Sequence, residues 1–214
     1  MLDVHAPHVS IQGWRDFLLH ILTITIGLFI ALSLEGSLSW LHGRRLVQEA
    51  EANMRSEILA NADALKEAAA DIHTDRDDLA HDVGVLREII RTHKTSDNSS
   101  MQINFHLKTL DNLSWKTAQS TDALSLMPYA RTKQYAEIYN MQEAFDSAEK
   151  QAARDAILSL APFMNLDKDA TITPAEADAI KRQIEILQAQ LLLLDSTISA
   201  LDQEYKKFLA AEPE

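Results

Sequence analysis

The chain has 214 residues with five glycines, five prolines and no cysteine, and its formal net charge is −12. So few turn-forming residues argue against a β-rich fold, and the lack of cysteine excludes disulfides, zinc–thiolate sites and cysteine nucleophiles. The acidic balance argues against nucleic-acid binding, because phosphate would repel the surface and no basic cluster compensates.

An apolar segment near the amino terminus is the strongest signal in the sequence. After a short tail at residues 1–13, residues 14–42 contain an apolar run from 17 to 34 in which His20 is the one readily charged side chain. With its continuation the run reaches about 25 residues, and roughly 20 are enough to cross a bilayer. A cleaved secretory signal fits less well, because its apolar core is shorter and a basic region precedes it. The segment therefore predicts a single transmembrane helix.

Residues at both ends of this helix mark the membrane boundaries but leave its orientation open. Trp14 and Trp40 bracket the apolar run, as aromatic residues at membrane interfaces do. Arg15 precedes the run, whereas Arg44 and Arg45 follow it. This excess of positive charge favours a cytoplasmic carboxyl-terminal domain, although a short tail with few charges is able to lie on either side of the membrane.

Small and polar residues recur along one face of the predicted membrane helix. Thr23, Gly27, Ala31 and Glu35 are spaced by four, so they form a single stripe. Small residues at this spacing let two membrane helices approach closely, which predicts a helix–helix contact with a second copy or with another membrane protein. The competing interpretation is that small residues are simply frequent in membrane helices.

A long amphipathic helix is predicted for residues 44–94. Its apolar residues recur in steps of three and four, the spacing that keeps side chains on one helix face. Gly43 is the one weak point between this helix and the anchor, and the continuity of the two helices stays open at this stage. A polar loop at residues 95–102 follows. The apolar stripe comprises Val47, Ala50, Met54, Ile58, Ala62, Leu65, Ala69, Ile72, Leu79, Val83, Leu86 and Ile90.

Residues 103–164 are predicted to form a helical segment. We expect a short helix from Ile103 to Leu113, further helix from Ser114 onward, and Pro128 in the first turn of a longer helix. Helical spacing along that longer helix predicts a buried, packed face. The face comprises Tyr135, Ile138, Tyr139, Gln142, Phe145 and Ala152.

The last helix is predicted at residues 174–210, after a loop at residues 165–173. Thr173, Pro174 and Glu176 form a capping-box pattern with proline at the first helical position. In such a box the threonine side chain accepts a bond from a backbone amide, and the glutamate reaches back to the amide of the threonine.

The apolar residues of this last helix alternate steps of four and three, which gives a heptad seam. Ile186 and Leu193 widen the apolar stripe beyond a narrow seam. A helix packed in a bundle is therefore favoured over an isolated two-helix zipper. The seam comprises Ile180, Ile184, Leu187, Leu191, Leu194, Ile198, Leu201, Tyr205 and Phe208.

The loop before the last helix contains three weak candidates for metal ligands, Asp167, Asp169 and Glu176. Their order resembles a shortened calcium-binding EF-hand loop. The loop is too short for that motif and lacks its turn glycine, and the capping box explains the same glutamate without an ion. We therefore predict no metal site and no cofactor.

Another cluster of polar residues lies on the long amphipathic helix. His73, Asp77 and His81 share one face, but the two imidazoles are about 12 Å apart along the axis, too far to chelate one ion. We interpret them as a solvated polar face. The sequence contains no glycine-rich phosphate loop, no nucleophile elbow and no zinc-protease motif, so no catalytic activity is predicted.

Two segments, ITIGLFIALSLEGSLSWLHGRRLVQEAEANMRSEI at residues 24–58 and WKTAQSTDALSLMPYARTKQYAEIYNMQ at residues 115–142, resemble shared blocks of known sequences. They are similar to an uncharacterised bacterial family of single-pass membrane proteins, each with an N-terminal anchor and a helical domain. The resemblance implies a location in the bacterial inner membrane and a helical fold. It implies no activity, cofactor or catalytic residue.

Together these patterns predict an all-α protein, in which an N-terminal transmembrane helix precedes an elongated antiparallel helical bundle or hairpin. The first functional hypothesis is a membrane-anchored interaction or scaffold protein, whose partners are the lipid bilayer and either a second copy or another membrane protein. The second is a sensor-like bundle that binds a ligand and signals through a separate partner. Exposed apolar strips would favour the first hypothesis, and a pocket of converging polar groups would favour the second.

Overall fold

The computed structural model describes residues 13–94, 106–160 and 172–211, which contain five α-helices and no strand. The predicted all-α fold class is therefore confirmed. Residues 13–48 and 49–211 belong to two separate compact units, called unit 1 and unit 2 below. The helices are α1 at Trp14–Thr92, α2 at Leu113–Ser120, α3 at Ala123–Leu126, α4 at Tyr129–Leu160 and α5 at Pro174–Ala210.

Helix α1 contains the predicted anchor and the predicted amphipathic helix without an interruption at Gly43. A single glycine costs a helix about 1 kcal/mol relative to alanine, and helix-forming residues on both sides offset that cost. The helix ends at Thr92, and His93 then adopts a left-handed conformation with φ of 57°. Its backbone N–H still donates to the carbonyl of Ile89, which satisfies one of the last free carbonyls of the helix.

Two helices are long and apolar enough to cross a membrane, by length and composition alone. In α1 the apolar stretch lies near the amino terminus, and none of it is buried within the protein. In α5 a third of the most apolar stretch is buried. Both helices are therefore apolar enough for a membrane span, but only α5 buries part of its apolar stretch against the rest of the protein.

The predicted short helix from Ile103 to Leu113 is wrong for the residues that the structure describes. Residues 106–112 are not helical, and α2 begins at Leu113. We call residues 106–112 the strap. Its backbone amides bond to side chains of α1 and α4, as described below, and these bonds replace those of a helix. Residues 103–105, the loop predicted at 95–102 and the greater part of the loop at 165–173 lie outside the described residues.

The core of unit 2 is built from the faces that helical spacing predicted. Every residue of the α5 seam is buried, and so are all six residues of the predicted α4 face, Tyr135 and Tyr139 among them. On α1 the expected stripe shifts by one residue at two positions. Ala68 and Ile89 are buried, whereas Ala69 and Ile90 are only partly buried. A straight helix has 3.6 residues per turn, whereas alternating steps of three and four average 3.5 residues. Over many turns the predicted stripe therefore rotates away from the face that is buried.

The α1 and α5 residues of unit 2 contact each other in opposite order along the chain. The Arg55 guanidinium donates to the carbonyl of Leu209 at 2.8 Å. Further along α1, Arg76 pairs with Asp195 at 3.2 Å. Still further, Arg87 approaches Glu185 of α5 at 3.7 Å.

Helix α4 contacts both of these partners within unit 2. Toward α1, Arg131 pairs with Glu51 at 3.0 Å. Toward α5, the rings of Tyr135 and Phe208 meet edge to face, with centroids 5.0 Å apart. Each of the three long helices thus faces the other two, which leaves each one with an outward face.

Candidate functional site

Unit 1 presents a helix surface that is apolar on every side. All large apolar side chains from Trp14 to Leu41 are exposed, the least exposed of them being Phe17 at 43%. The Trp14 ring stacks on that of Phe17, with centroids 5.8 Å apart. After the apolar stretch, the Arg44 guanidinium lies 5.6 Å from the centre of the Trp40 ring. A continuous apolar circumference of this length has no counterpart among water-facing helices, which expose one polar face.

The predicted helix–helix stripe lies on this exposed surface. Thr23, Gly27, Ala31 and Glu35 are all exposed within the single chain. The Thr23 hydroxyl donates to the carbonyl of Leu19 at 2.8 Å, so its bonding is satisfied within the helix. A Cβ atom added at Gly27 would meet nothing within 4 Å. The stripe is therefore accessible to another helix, and the contact itself stays a prediction.

Of the three metal candidates, only Glu176 belongs to the described residues, because Asp167 and Asp169 lie outside them. The backbone N–H of Glu176 donates to Thr173 Oγ1 at 3.3 Å, and the backbone N–H of Thr173 donates to Glu176 Oε2 at 2.8 Å. The predicted capping box is thus confirmed. The bond from the Thr173 backbone N–H, together with one that the Thr173 hydroxyl donates to the same oxygen at 2.8 Å, stabilises the carboxylate and lowers the pKa of Glu176. Within the described ranges no cluster of three or more potential ligands is placed to hold a metal ion.

The polar face predicted at His73, Asp77 and His81 is exposed, and one of its members points toward α5. His73 Nε2 lies 4.0 Å from Asp195 Oδ1, and the same carboxylate receives the Arg76 guanidinium. His73 therefore belongs to the contact between α1 and α5. Asp77 and Arg76 also line an open groove between these two helices, together with Gln188 of α5.

Among the described residues of unit 2, the strap forms the largest number of side-chain bonds to backbone amides outside the helices. A fully buried carboxylate on α1 binds its first residue. Asp75 has a relative accessibility of 0%. One of its oxygens accepts the backbone N–H of His106 at 3.2 Å, and the other lies 2.8 Å from His106 Nδ1. A buried carboxylate is costly unless it is paired and hydrogen-bonded, and the strap provides both interactions.

The next strap residues bond to both long helices that flank them. The backbone N–H of Lys108 donates to Glu149 of α4 at 2.6 Å. Asn61 of α1 forms a reciprocal pair with Asp111: its side-chain amide donates to the Asp111 carbonyl at 2.7 Å and accepts the Asp111 backbone N–H at 2.9 Å. Side chains of α1 and α4 thus satisfy backbone groups of a segment that has no secondary structure of its own.

The bonding continues into the first turn of α2 and reaches the aromatic core. The backbone N–H of Ser114 donates to one oxygen of Glu57 at 2.7 Å, and the hydroxyl of Tyr139 donates to the other at 2.7 Å. The Trp115 ring stacks on that of Tyr139 at 5.1 Å. Burial, followed by the bond to Glu57, raises the pKa of the Tyr139 hydroxyl. This tyrosine is therefore a proton donor in a structural network.

Two groups that hold the strap have shifted pKa values. The bond to Asp75 and the charge of that carboxylate raise the pKa of His106, and nearby Asp71 and Asp78 add to the effect. Burial raises the pKa of Glu149, although the amide of Lys108 opposes that shift. Both shifts favour the protonated form of the group in the folded state.

The sequence patterns do not predict the strap, although one signal points to it. Asn61 and Asp75 occupy buried positions on α1, interspersed with its apolar stripe. A polar side chain in a core position requires a bonding partner. Their presence on the buried face is therefore evidence that a polar segment crosses it.

None of the family models, curated proteins or solved structures compared with the chain matches it.

Proposed function

We propose that the chain is a membrane-anchored helical interaction protein without catalytic activity. In this proposal residues 14–42 cross the bacterial inner membrane once, and unit 2 is an antiparallel helical bundle that offers its outward faces to protein partners. The resemblance to a bacterial single-pass membrane family fits this proposal and stays a prediction.

The fully exposed apolar circumference of the first part of α1 is the observation that carries the proposal. Burying a single large aliphatic or aromatic side chain contributes roughly 1.5–3 kcal/mol. Moving all the exposed apolar side chains between Trp14 and Leu41 out of water would therefore contribute a favourable free energy on the order of tens of kcal/mol, the sum of these increments. A lipid bilayer provides that burial for a helix of this length. The hydrogen bonds within the helix satisfy its backbone N–H and C=O groups, which the lipid is unable to do.

Exposed apolar residues on unit 2 support an interaction role for it. Ile186, Leu192 and Leu193 of α5 are each at least half exposed, although the same helix buries a complete apolar seam on its other side. These three residues are therefore not needed for the core of unit 2. Ile186 and Leu193 are seven residues apart and share one outward face, whereas Leu192 lines the groove between α1 and α5. Exposed apolar residues that share a face are typical of protein-binding surfaces.

A topology experiment tests the proposal directly. Paired reporters, one active only in the cytoplasm and one only outside it, are fused after Glu214 of the full chain. We expect the protein to resist alkaline extraction from membranes, and one reporter of the pair to be active. Release into the soluble fraction, or equal activity of both reporters, would contradict a single-pass anchor.

The groove between α1 and α5 supports a second candidate function, a ligand-binding sensor domain. Its lining combines His73, Arg76, Asp77 and Gln188 with an exposed leucine. Converging polar groups of this kind suit a small polar ligand. A thermal-shift screen of polar metabolites on the full chain tests this function, with Gln188→Ala as the variant that should abolish any shift.

A further inference from the structure

The amino-terminal end of α4, together with the end of α3, carries an exposed apolar surface that the core of unit 2 does not use. Residues 123–130 contain no charged side chain, in a chain of which 24% is charged. Within this run Leu126 is 56% exposed and Tyr129 is 83% exposed. Pro128 and Ala130 beside them are exposed as well. We call these four residues the corner surface.

The corner surface lies at the end of unit 2 at which the chain enters from unit 1. The hydroxyl of Tyr135 donates to the Glu51 carbonyl at 3.4 Å, close to the first residue of unit 2. Four residues later on α4, the Tyr139 hydroxyl donates to Glu57 at 2.7 Å, so α1 and α4 run in the same direction within unit 2. Tyr129 precedes Tyr135 by six residues, about 9 Å along a helix. It therefore lies beyond Glu51, on the side from which the chain enters.

A short stretch of chain connects this end of unit 2 to the proposed membrane anchor. The proposed anchor ends at residue 42 and unit 2 begins at residue 49, seven residues later. Seven residues extend over about 10 Å as a helix and over at most about 25 Å when fully extended. The headgroup layer on each side of the hydrocarbon core is itself roughly 5–8 Å thick. The covalent connection therefore keeps this end of unit 2 near the lipid headgroups.

We propose that the corner surface rests on the lipid headgroups of the membrane that holds the anchor, with Leu126 and Tyr129 in the interfacial layer. Tyrosine is enriched in that layer because its ring is apolar and its hydroxyl bonds to water or headgroups. The leucine gains there the burial that unit 2 does not provide. Attachment to the anchor gives the surface an effective concentration on the order of millimolar at the bilayer, so a weak affinity for lipid is enough. The contact rests on the proposed function, because it requires the anchor to be in the membrane.

The proposed contact is apolar rather than electrostatic. The run at residues 123–130 carries no charge, and Asp122 precedes it. Arg131, the first cation after the run, pairs with Glu51 at 3.0 Å, and its side chain is only 16% exposed. Attraction to anionic headgroups therefore contributes little, and we expect the contact to be independent of the share of anionic lipid.

Fluorescent labels at single cysteines measure the contact, because the natural chain contains no cysteine. The full chain is reconstituted in phosphatidylcholine vesicles with nitroxide-labelled headgroups, at a protein-to-lipid ratio low enough to isolate single copies. An environment-sensitive label at Leu126→Cys or Tyr129→Cys should emit at shorter wavelength and lose emission to the nitroxides, because an interfacial surface lies at headgroup depth. Leu158→Cys is the matched control and should show neither change. Leu158 is 55% exposed, almost as much as Leu126, and lies at the other end of α4.

A label in the anchor distinguishes failure of this contact from failure of the proposed function. Leu28→Cys should be quenched by nitroxides on the lipid acyl chains if the anchor is inserted. Quenching at Leu28→Cys without quenching at Leu126→Cys would overturn the lipid contact and leave the anchor in place, whereas the loss of both would contradict the anchor itself. Equal quenching of Leu126→Cys and Leu158→Cys would also overturn the contact. A shift at Leu126→Cys that appears only at high protein-to-lipid ratio would show that a second copy covers the surface instead.

Substitution of the two side chains tests whether they make the contact. The reporter is a label at Ala130→Cys, an exposed position on the same surface. Leu126→Glu combined with Tyr129→Glu should abolish its quenching by the headgroup nitroxides, because glutamate favours water over the interfacial layer, whereas Leu158→Glu should leave the quenching unchanged. Adding anionic lipid to the vesicles should not alter the quenching of the unsubstituted surface. Unchanged quenching in the double variant, or quenching that requires anionic lipid, would contradict an apolar contact through Leu126 and Tyr129.

Discussion

The first part of α1 and the apolar stretch of α5 differ in mean hydropathy, 2.4 against 1.3, and in their surroundings. Both are long and apolar enough to cross a membrane. In α1 the apolar residues from Phe17 to Leu41 are exposed on all sides, whereas α5 buries a regular seam against α1 and α4. Apolarity alone therefore does not distinguish a membrane helix from a core helix.

The spacing of charged residues along the helix distinguishes the first part of α1 from α5. In α5, charged residues such as Glu185, Asp195 and Asp202 lie between the seam positions, where they reach solvent or partner side chains. In α1 no such charge interrupts the stretch from Phe17 to Leu34. A helix that is apolar around its full circumference needs an apolar solvent, and a helix with a seam needs only a partner on one side.

The largest expected effect comes from placing charge in the α1 stretch. Ile24→Asp combined with Leu28→Asp should remove the protein from the membrane fraction, because each aspartate near a span centre costs roughly 2.5–3.5 kcal/mol on insertion. The matched control is Leu192→Asp combined with Leu193→Asp in α5, which should stay in the membrane fraction. Fractionation followed by immunoblotting measures both, and release of the control would mean that α5 also anchors the chain.

A second comparison tests the seam of α5 against its outward face. Leu187 is fully buried, and Leu192 is 53% exposed. Leu187→Ala should lower the free energy of unfolding by about 2–5 kcal/mol, because it removes buried methyl groups and leaves a cavity. Leu192→Ala should change it by less than about 0.5 kcal/mol. Denaturant titration of the full chain in detergent measures both, and equal losses would contradict the assignment of the seam.

The sequence predicts features that depend on local chemistry or on regular spacing. The capping box at Thr173 involves residues three apart, and the seam of α5 follows from its heptad spacing. The strap depends instead on contacts between distant residues. Asp75 and His106 are 31 residues apart, and Asn61 and Asp111 are 50 apart. No local pattern encodes such pairings, so the sequence alone predicts a helix where the strap lies.

The candidate sites also differ in whether local sequence or contacts between distant residues determine them. Local bonding accounts for Glu176, which the capping box occupies. The outward face of α5 is visible only when burial shows which side of the helix is covered, although Ile186 and Leu193 already stand out as residues beyond the seam. The stripe at Thr23 and Gly27 needs a second molecule to acquire a function, so a single chain leaves it open.

The strap gives a third, smaller effect. Asp75→Ala removes the acceptor of two bonds to His106, and we expect it to lower the free energy of unfolding by about 1–3 kcal/mol. Asp77→Ala is the matched control, since Asp77 is exposed on the neighbouring face. Hydrogen exchange of the His106 amide should accelerate in the first variant only. Unchanged exchange would show that other contacts hold the strap.

The smallest expected effect is a pH dependence of stability that arises from the same contact. Because the pKa of His106 is raised in the folded state, its contribution is fully present below its ordinary pKa of 6.5 and is lost as the pH rises through the folded value. Glu149 acts in the same direction from its ordinary pKa of 4.5 upward, since burial also raises its pKa. The free energy of unfolding should therefore fall as the pH rises from the ordinary pKa of glutamate through and above that of histidine.

The variant His106→Gln keeps the backbone amide and a side-chain donor but removes the titration, so it isolates the histidine from Glu149. We expect a smaller fall in unfolding free energy over this pH range for His106→Gln than for the unmodified chain. His81→Gln, on the exposed face of α1, should leave the fall unchanged. The side chain of His106 is 53% exposed, so solvent screens its pair with Asp75 and the difference should be modest. An identical pH profile for His106→Gln and the unmodified chain would mean that the backbone bond alone holds this end of the strap.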